Sequence, residues 1–416
     1  MPLPLPVEIL EYTLELLVAF PDIESLTSAQ YSISPKNFLP LEDIKHSTRS
    51  LHSLALVCKQ WNAICSPVLY KCLVVDDSTI TDILLRTLEH PSPTPHALGR
   101  FQPGASITRH LVIALSDQPA LENQDERLDD RIMRRFGNLG RLARCLPQLH
   151  TLSVSIMLQT QMWGLPMPYY GIDFAATIIR TSAHSLQNLY LHRNPAILFT
   201  RQELHKLLES APNLIAIVGG GCADHLRCPA AFPYLPKLKY LTVNNEAGQC
   251  GRTMHKDNRL PSLEHVHIRA SHSDFWLHLL SAQGSRLVSV SLDLRDRENC
   301  SDCLSRLTGL CPNLSRLEIL INDWHCFPRA DWFPSVEYLG IRIQSGILVV
   351  ADICKTLATI QLRSLRVVRL MDLQMIDWFA SPLSGNVESA WSLLAGCPFR
   401  VVDYYGRELG PPAPSS

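Results

Sequence analysis

Pro261-Ser262-Leu263-Glu264-His265-Val266-His267-Ile268 is followed 24 residues later by Ser285-Arg286-Leu287-Val288-Ser289-Val290-Ser291-Leu292, and 27 after that by Pro312-Asn313-Leu314-Ser315-Arg316-Leu317-Glu318-Ile319. The three stretches share one phrase: an apolar residue, often preceded by Pro-x, then x-x-apolar-x-apolar. The last two apolar residues stand two apart, so in a strand they share one face. The first closes the turn that leads into that strand.

Outward from this stretch the same phrase appears ten times. It begins with Leu149-Leu152-Val154, Leu186-Leu189-Leu191, Leu214-Ile217, Leu238-Leu241-Val243 and Leu263-Val266-Ile268. It continues with Leu287-Val290-Leu292, Leu314-Leu317-Ile319, Val336-Leu339-Ile341, Leu365-Val368-Leu370 and Phe399-Val402-Tyr404. Successive starts lie 22 to 37 residues apart, and the central spacings match leucine-rich repeats. Helix-like stretches separate the phrases: Phe174 to Ser182, Thr200 to Glu209, Asp274 to Leu280, Asp302 to Leu310 and Trp391 to Leu394. Thr200-Arg201-Gln202-Glu203 has capping-box spacing. A strand and a helix alternating in this way cannot bury their faces alone, but stacked in a solenoid they share one core. Ten strands at roughly 4.8 Å spacing would line a face of about 48 Å. His110-Leu111-Val112-Ile113 is a weaker match that reads as an N-terminal capping strand.

Composition is globular. Of 416 residues, 46% are hydrophobic and 19% charged, and the formal charge is −1. These values exclude disorder as the main state and give no bulk electrostatic drive toward nucleic acid or membrane. Met1 to Phe20 carries Glu8, Glu11 and Glu15 and no basic residue, unlike a secretory signal. Thirteen scattered cysteines read as free thiols of a cytoplasmic or nuclear protein.

The N-terminal text is different. Leu5-Pro6-Val7-Glu8-Ile9-Leu10 opens an amphipathic stretch with Ile9, Leu10, Leu14 and Leu17 at helical spacing. After a polar segment, Leu51, Leu54, Val57, Cys58 and Trp61 mark a second helical stripe, and Cys65-Ser66-Pro67-Val68-Leu69-Tyr70 follows. Pro67 fits the first turn of a third helix. Together these pieces resemble the F-box: a Leu-Pro-x-Glu-Ile-Leu opening, a Leu-x-x-Leu-x-x-Val-Cys-x-x-Trp middle and a Ser-Pro-x-Leu-Tyr close, in that order. With the repeats behind it, the chain resembles F-box/leucine-rich-repeat proteins of the type abundant in mushroom-forming fungi.

The resemblance implies an α/β architecture: an N-terminal three-helix F-box followed by a degenerate strand-helix solenoid. The F-box would cover 1–75 with an inserted surface loop at about 21–49. A linker would follow at 76–106, where Pro91, Pro93, Pro95, Pro103, Gly99 and Gly104 cluster. The solenoid would run over 107–405 and a disordered tail over 406–416. The resemblance also implies a role as substrate-recognition subunit of a Skp-cullin-F-box type ubiquitin ligase, a receptor and not an enzyme. Leu5, Pro6, Ile9, Leu10, Leu14, Leu54, Val57, Cys58 and Trp61 would then bind the Skp-family adaptor, linking the chain to a cullin-RING ligase. A protein substrate would lie on the strand face at Tyr240, His265, His267, Arg269, Arg316, Tyr338, Arg342 and Arg369, where the alternation aims the remaining side chains. The arginines make that face mildly basic and fit a partner with an acidic or phosphorylated segment. A non-catalytic repeat scaffold or recognition protein that does not join a cullin ligase is the alternative.

No constellation points to chemistry. Cys222-x-x-His225-x-x-Cys228 and the downstream Cys250 and His255 miss zinc-knuckle spacing, and Cys300-x-x-Cys303 has no second pair. Gly219-Gly220-Gly221 is not followed by Gly-Lys-Ser/Thr. The mixed charges of Glu122 to Arg135 read as a solvated face. No metal and no cofactor are expected.

Overall fold

The computed structural model describes residues 14, 41–76, 78–89, 107–116, 137–157, 172–192, 198–219, 232–245, 259–270, 273–294, 300–322, 327, 333–343, 350–360, 362–371, 392–403 and 406–409. The chain divides into two compact units. Residues 1–22, 39–226 and 231–238 form the first, and 23–38, 227–230 and 239–416 the second.

Strands β1 (Cys72–Val75), β2 (His110–Ser116), β3 (Thr151–Met157), β4 (Asn188–Leu191) and β5 (Ala216–Gly219) belong to the first unit. Each pairs in parallel with the next in chain order. In the second unit, β6 (Tyr240–Asn245), β7 (His265–Ala270), β8 (Ser289–Asp293), β9 (Arg316–Ile321), β10 (Tyr338–Ile343), β11 (Val367–Leu370) and β12 (Arg400–Val402) pair in the same way. Helices lie between strands: α3 (Ser78–Glu89), α4 (137–144), α5 (Ile172–Thr181), α6 (Arg201–Glu209), α7 (Ser273–Gln283), α8 (Cys300–Leu310) and α9 (Val350–Ala358). Parallel strands that neighbour in space in the order of the chain, with helical returns, make a strand-helix coil.

The repeated phrase performs the expected job. The pairs Leu152/Val154, Leu189/Leu191, Val266/Ile268, Val290/Leu292, Leu317/Ile319, Leu339/Ile341 and Val368/Leu370 are all at most 2% exposed. Where the phrase starts Pro-x-Leu, it closes a β-turn with Pro in its second position, as turn geometry favours. Leu214 donates to Ala211 O, Leu263 to Leu260 O and Leu314 to Cys311 O, at 3.2 to 3.3 Å. The capping box also forms: Thr200 Oγ1 accepts from Glu203 N while Thr200 N donates to Glu203 Oε2 at 3.0 Å.

Five elements differ from the sequence reading. First, α3 lies where composition predicts a linker, and Thr81, Leu85 and Leu88 are buried; residues 90–106 are outside the described residues. Second, the strand series starts at β1, before the predicted solenoid, and His110–Ser116 is a fully paired member.

Third, the second stripe is broken. Helix α1 (Leu41–Ala55) ends before Leu56, and α2 (Lys59–Lys71) starts after Cys58, whose φ of −162° and ψ of 169° are extended. Pro67 lies inside α2 and does not open a third helix. Fourth, α1 begins within the predicted insert. Its Ile44 is buried and packs with Cys72 and Val112, against the strand face away from the Leu111/Ile113 core pair. Fifth, residues 406–409 of the predicted tail return onto β12.

Ile44 thus ties α1 to β1 and β2. Ile44→Ala is expected to lower stability by about 2 kcal/mol, the low end for a buried Ile truncation. Urea unfolding of the intact chain checks this. A midpoint equal to that of the parent would place Ile44 outside the core.

Candidate functional site

The in-register strands of the second unit carry non-core side chains in rows. One row is Tyr240, His265, Ser289, Arg316, Tyr338 and Val367; the next is Thr242, His267, Ser291, Glu318, Gly340 and Arg369. Neighbours within a row sit one strand spacing apart, close enough for direct contact. The Tyr240 and His265 rings stack with centroids 4.4 Å apart and planes at 10°. His267 Nδ1 and Ser291 Oγ are 2.8 Å apart. The Arg316 guanidinium lies 4.2 Å above the Tyr338 ring and bonds Glu318 Oε1 through Nη2 at 2.7 Å. Arg369 Nε donates to Asp403 O at 3.2 Å.

Gly340 makes this arrangement possible. A Cβ there would stand 2.8 Å from Met371 Sδ and 2.9 Å from Glu318 Cγ. With no side chain at Gly340, Glu318 and Arg369 keep their places on either side of it.

The site residues read from the sequence therefore share a face, but not as open surface. Arg369 is 1% exposed, His267 7% and Tyr240 9%. His265, Arg316, Tyr338 and Arg342 are half-buried and form the accessible part. Arg269 is on β7, in register with Asp293, and its side chain is outside the described residues. Glu318 takes up the charge of Arg316, and the Asp403 carboxylate pairs with Arg407 at 2.6 Å. The face is thus closer to neutral than its arginines alone imply. Burial, and then the Glu318 charge, push the Tyr338 hydroxyl above its ordinary range, against Arg316 and Arg369.

The N-terminal helices make a second surface. Leu14, Leu51, Ala55, Ile64, Cys65 and Val68 form a buried cluster, with Leu54, Trp61 and Leu69 packed against it. Between α1 and α2, Leu56 and Val57 are 71% and 66% exposed, and Cys58 is exposed beside them. Leu14 therefore supports this surface from the core, while Val57 and Cys58 stand on it. Sequence reading missed Leu56, because no Gly or Pro marks the break between the helices. Leu5, Pro6, Ile9 and Leu10 lie outside the described residues, as do Glu122–Arg135, Cys222, His225, Cys228, Cys250 and His255. Cys300 and Cys303 are in the first turn of α8, with side chains likewise outside them.

Among the described residues no group of three or more His, Cys, Asp or Glu could hold a metal ion. No described helix is long and apolar enough to cross a membrane. Burial pushes the thiols of Cys72 and Cys311 up to about 12, which leaves them poor nucleophiles at neutral pH. No protein-family profile matches the chain, and a search of curated proteins finds no relative. Among solved structures, the leucine-rich repeat-containing protein LegL7 from Legionella pneumophila is similar at 17% identity and a TM-score of 0.41, over 62% of this chain and 85% of that one.

The strand face and the half-buried His265 and His110 give two expected outcomes. Arg316→Ala leaves the Glu318 carboxylate buried without its cation and should cost roughly 3 kcal/mol. Arg342→Ala, at a half-buried position, should cost under about 1 kcal/mol. Equal unfolding midpoints for the two variants would contradict this ranking. The second concerns acid. Burial foremost, then the Arg316 and Lys239 charges, hold His265 down at about 4, below its ordinary 6.5. Burial, then His150, Lys71 and Arg109, does the same for His110. A histidine whose folded pKa is depressed contributes stability that is complete above the unfolded pKa and is lost as pH falls toward the folded one. The urea midpoint should therefore drop from about pH 7 to about pH 4.5, and His265→Gln should flatten part of the drop. A midpoint constant over that window would refute it.

Proposed function

We propose that this chain is a substrate receptor: the N-terminal helices dock a Skp-family adaptor, and the strand face of the repeats holds a protein substrate for a cullin-RING ligase. The observation that carries the reading is the turn between α1 and α2. Leu56 and Val57 project into solvent above a closed apolar cluster that already supplies the module's own core. Adjacent exposed apolar side chains on a packed support are the form an interaction surface takes. The Leu51 to Trp61 text of the F-box resemblance falls on the same turn.

On this reading the chain binds and positions and performs no chemistry itself. Adaptor contact uses Val57, Cys58 and Leu56, with Leu54, Trp61 and Leu14 beneath them and Leu5, Pro6, Ile9 and Leu10 in the preceding segment. Substrate contact uses His265, Arg316, Tyr338 and Arg342, braced by Tyr240, His267 and Arg369, with Arg269 on the neighbouring strand. The second reading is a repeat scaffold that binds the adaptor, or another protein, without a cullin.

The test is co-purification of the full chain with a Skp-family adaptor, followed by a cullin blot. Leu56→Ser with Val57→Ser should remove adaptor binding at an unchanged melting temperature, since both positions are exposed. Leu5→Ala with Pro6→Ala should do the same. Adaptor binding that survives both double changes would refute the docking surface. Adaptor without cullin in the unaltered complex would favour the scaffold.

A further inference from the structure

Among the described residues, β12 has a neighbouring strand on one side only, β11. The outer side of such a strand presents N–H and C=O groups that template pairing with another chain. This chain covers that side itself. After β12 the backbone turns back: Gly406 N donates to Asp403 O at 3.0 Å, and Asp403 N to Arg407 O at 2.8 Å. Val402 and Glu408 then form an antiparallel bridge, and Leu409 N reaches Val401 O at 2.9 Å. Gly406 has φ +81°, the left-handed region that costs glycine least.

The turn is latched from below. The Asp403 side chain is 1% exposed, and its carboxylate accepts Arg407 N at 2.8 Å and Arg407 Nε at 2.6 Å. Its carbonyl accepts Arg369 Nε, from a residue on β11 that is itself 1% exposed. The returning arm is therefore tied both to the strand it covers and to the strand beyond.

We infer that Asp403 and residues 406–409 form an edge guard, and that the outer edge of β12, when its own arm is released, takes the arm of a second copy of this chain. The choice of occupant follows from the bonds. Every group in the covering contact comes from this chain's sequence, so two copies that exchange arms keep the Leu409–Val401 bond and the Val402–Glu408 bridge. The closed form prevails in the native protein because a short turn holds the arm at high effective concentration. Whatever strains the turn while sparing the arm shifts the balance to exchange.

Gly406 is the place to apply that strain. A side chain there has room, since its Cβ would approach only Arg369 Nη2, at 3.8 Å. The positive φ is what a β-branched residue resists. Sedimentation equilibrium over a concentration series is the measurement. The unaltered chain should hold its monomer mass of 46.7 kDa, whereas Gly406→Val should rise toward twice that mass. Gly406→Ala, a milder strain on an exposed position, should show the same rise at higher concentration. Adding Leu409→Pro to Gly406→Val removes the N–H that reaches Val401 and should restore the monomer. Three results would overturn the inference: dimers of the unaltered chain, monomers of both single variants, or dimers that persist in the double variant. The last would mean that the bare edge pairs directly.

Discussion

Just ahead of β2 to β4 and of β6 to β10, one peptide carbonyl accepts two N–H groups from the next repeat, and the rest of the fold depends on that contact. Arg109 O takes His150 N and Thr151 N, and His150 O takes Gln187 N and Asn188 N, within 3.0 Å. Lys239, Glu264, Val288, Ser315 and Glu337 do the same in the second unit. A single such bond contributes on the order of 1 kcal/mol. Its larger effect is on register. A shift of one residue would move Leu317 and Ile319 to the polar face and Arg316 and Glu318 into the apolar core, so each repeat inherits its phase from the one before.

In-register pairing also explains why the polar face is packed and not open. Side chains one strand apart stand close together, and the sequence puts complementary partners there: a tyrosine beside an imidazole, a histidine beside a serine, an arginine above a tyrosine. Each contact removes surface that a strand read by itself would expose. Small residues regulate the crowding. Ser289 and Ser291 hold the middle strand low, and Gly340 gives Glu318 and Arg369 room. The side chains that stay accessible on such a face are the few left half-exposed, and the buried ones beneath stiffen them.

The N-terminal helices join the repeats without a spacer. Helix α2 ends at Lys71 and β1 begins at Cys72. The two helices close on a core of their own, and among their described residues the exposed large apolar side chains, Leu56 and Val57, stand in the turn between them. The stripe from Leu51 to Trp61 gave no warning of that turn. Its spacing suits one continuous helix, and nothing local interrupts it. The extended backbone at Cys58 and the Asn62 side chain, which reaches back to Ala55 O at 3.3 Å, are decided by how the two helices fold onto each other.

The phase and core of ten strands were legible in the sequence, because a period of two within a strand and a repeat near 25 residues are local patterns that burial makes obligatory. All ten phrases became strands, and Thr200 with Glu203 marked its helix start without any tertiary help. The first strand was harder to read: Leu73 and Val75 have the alternation but stand directly after a helix, with no turn residues to announce them. Ile44 sits in a polar stretch, and only the approach of α1 to β1 and β2 buries it. Which face residues stay accessible was likewise settled by tertiary structure, because exposure depends on what stands one strand away. In sequence those neighbours are 22 to 37 residues distant, and alternation along a single strand carries no information about them.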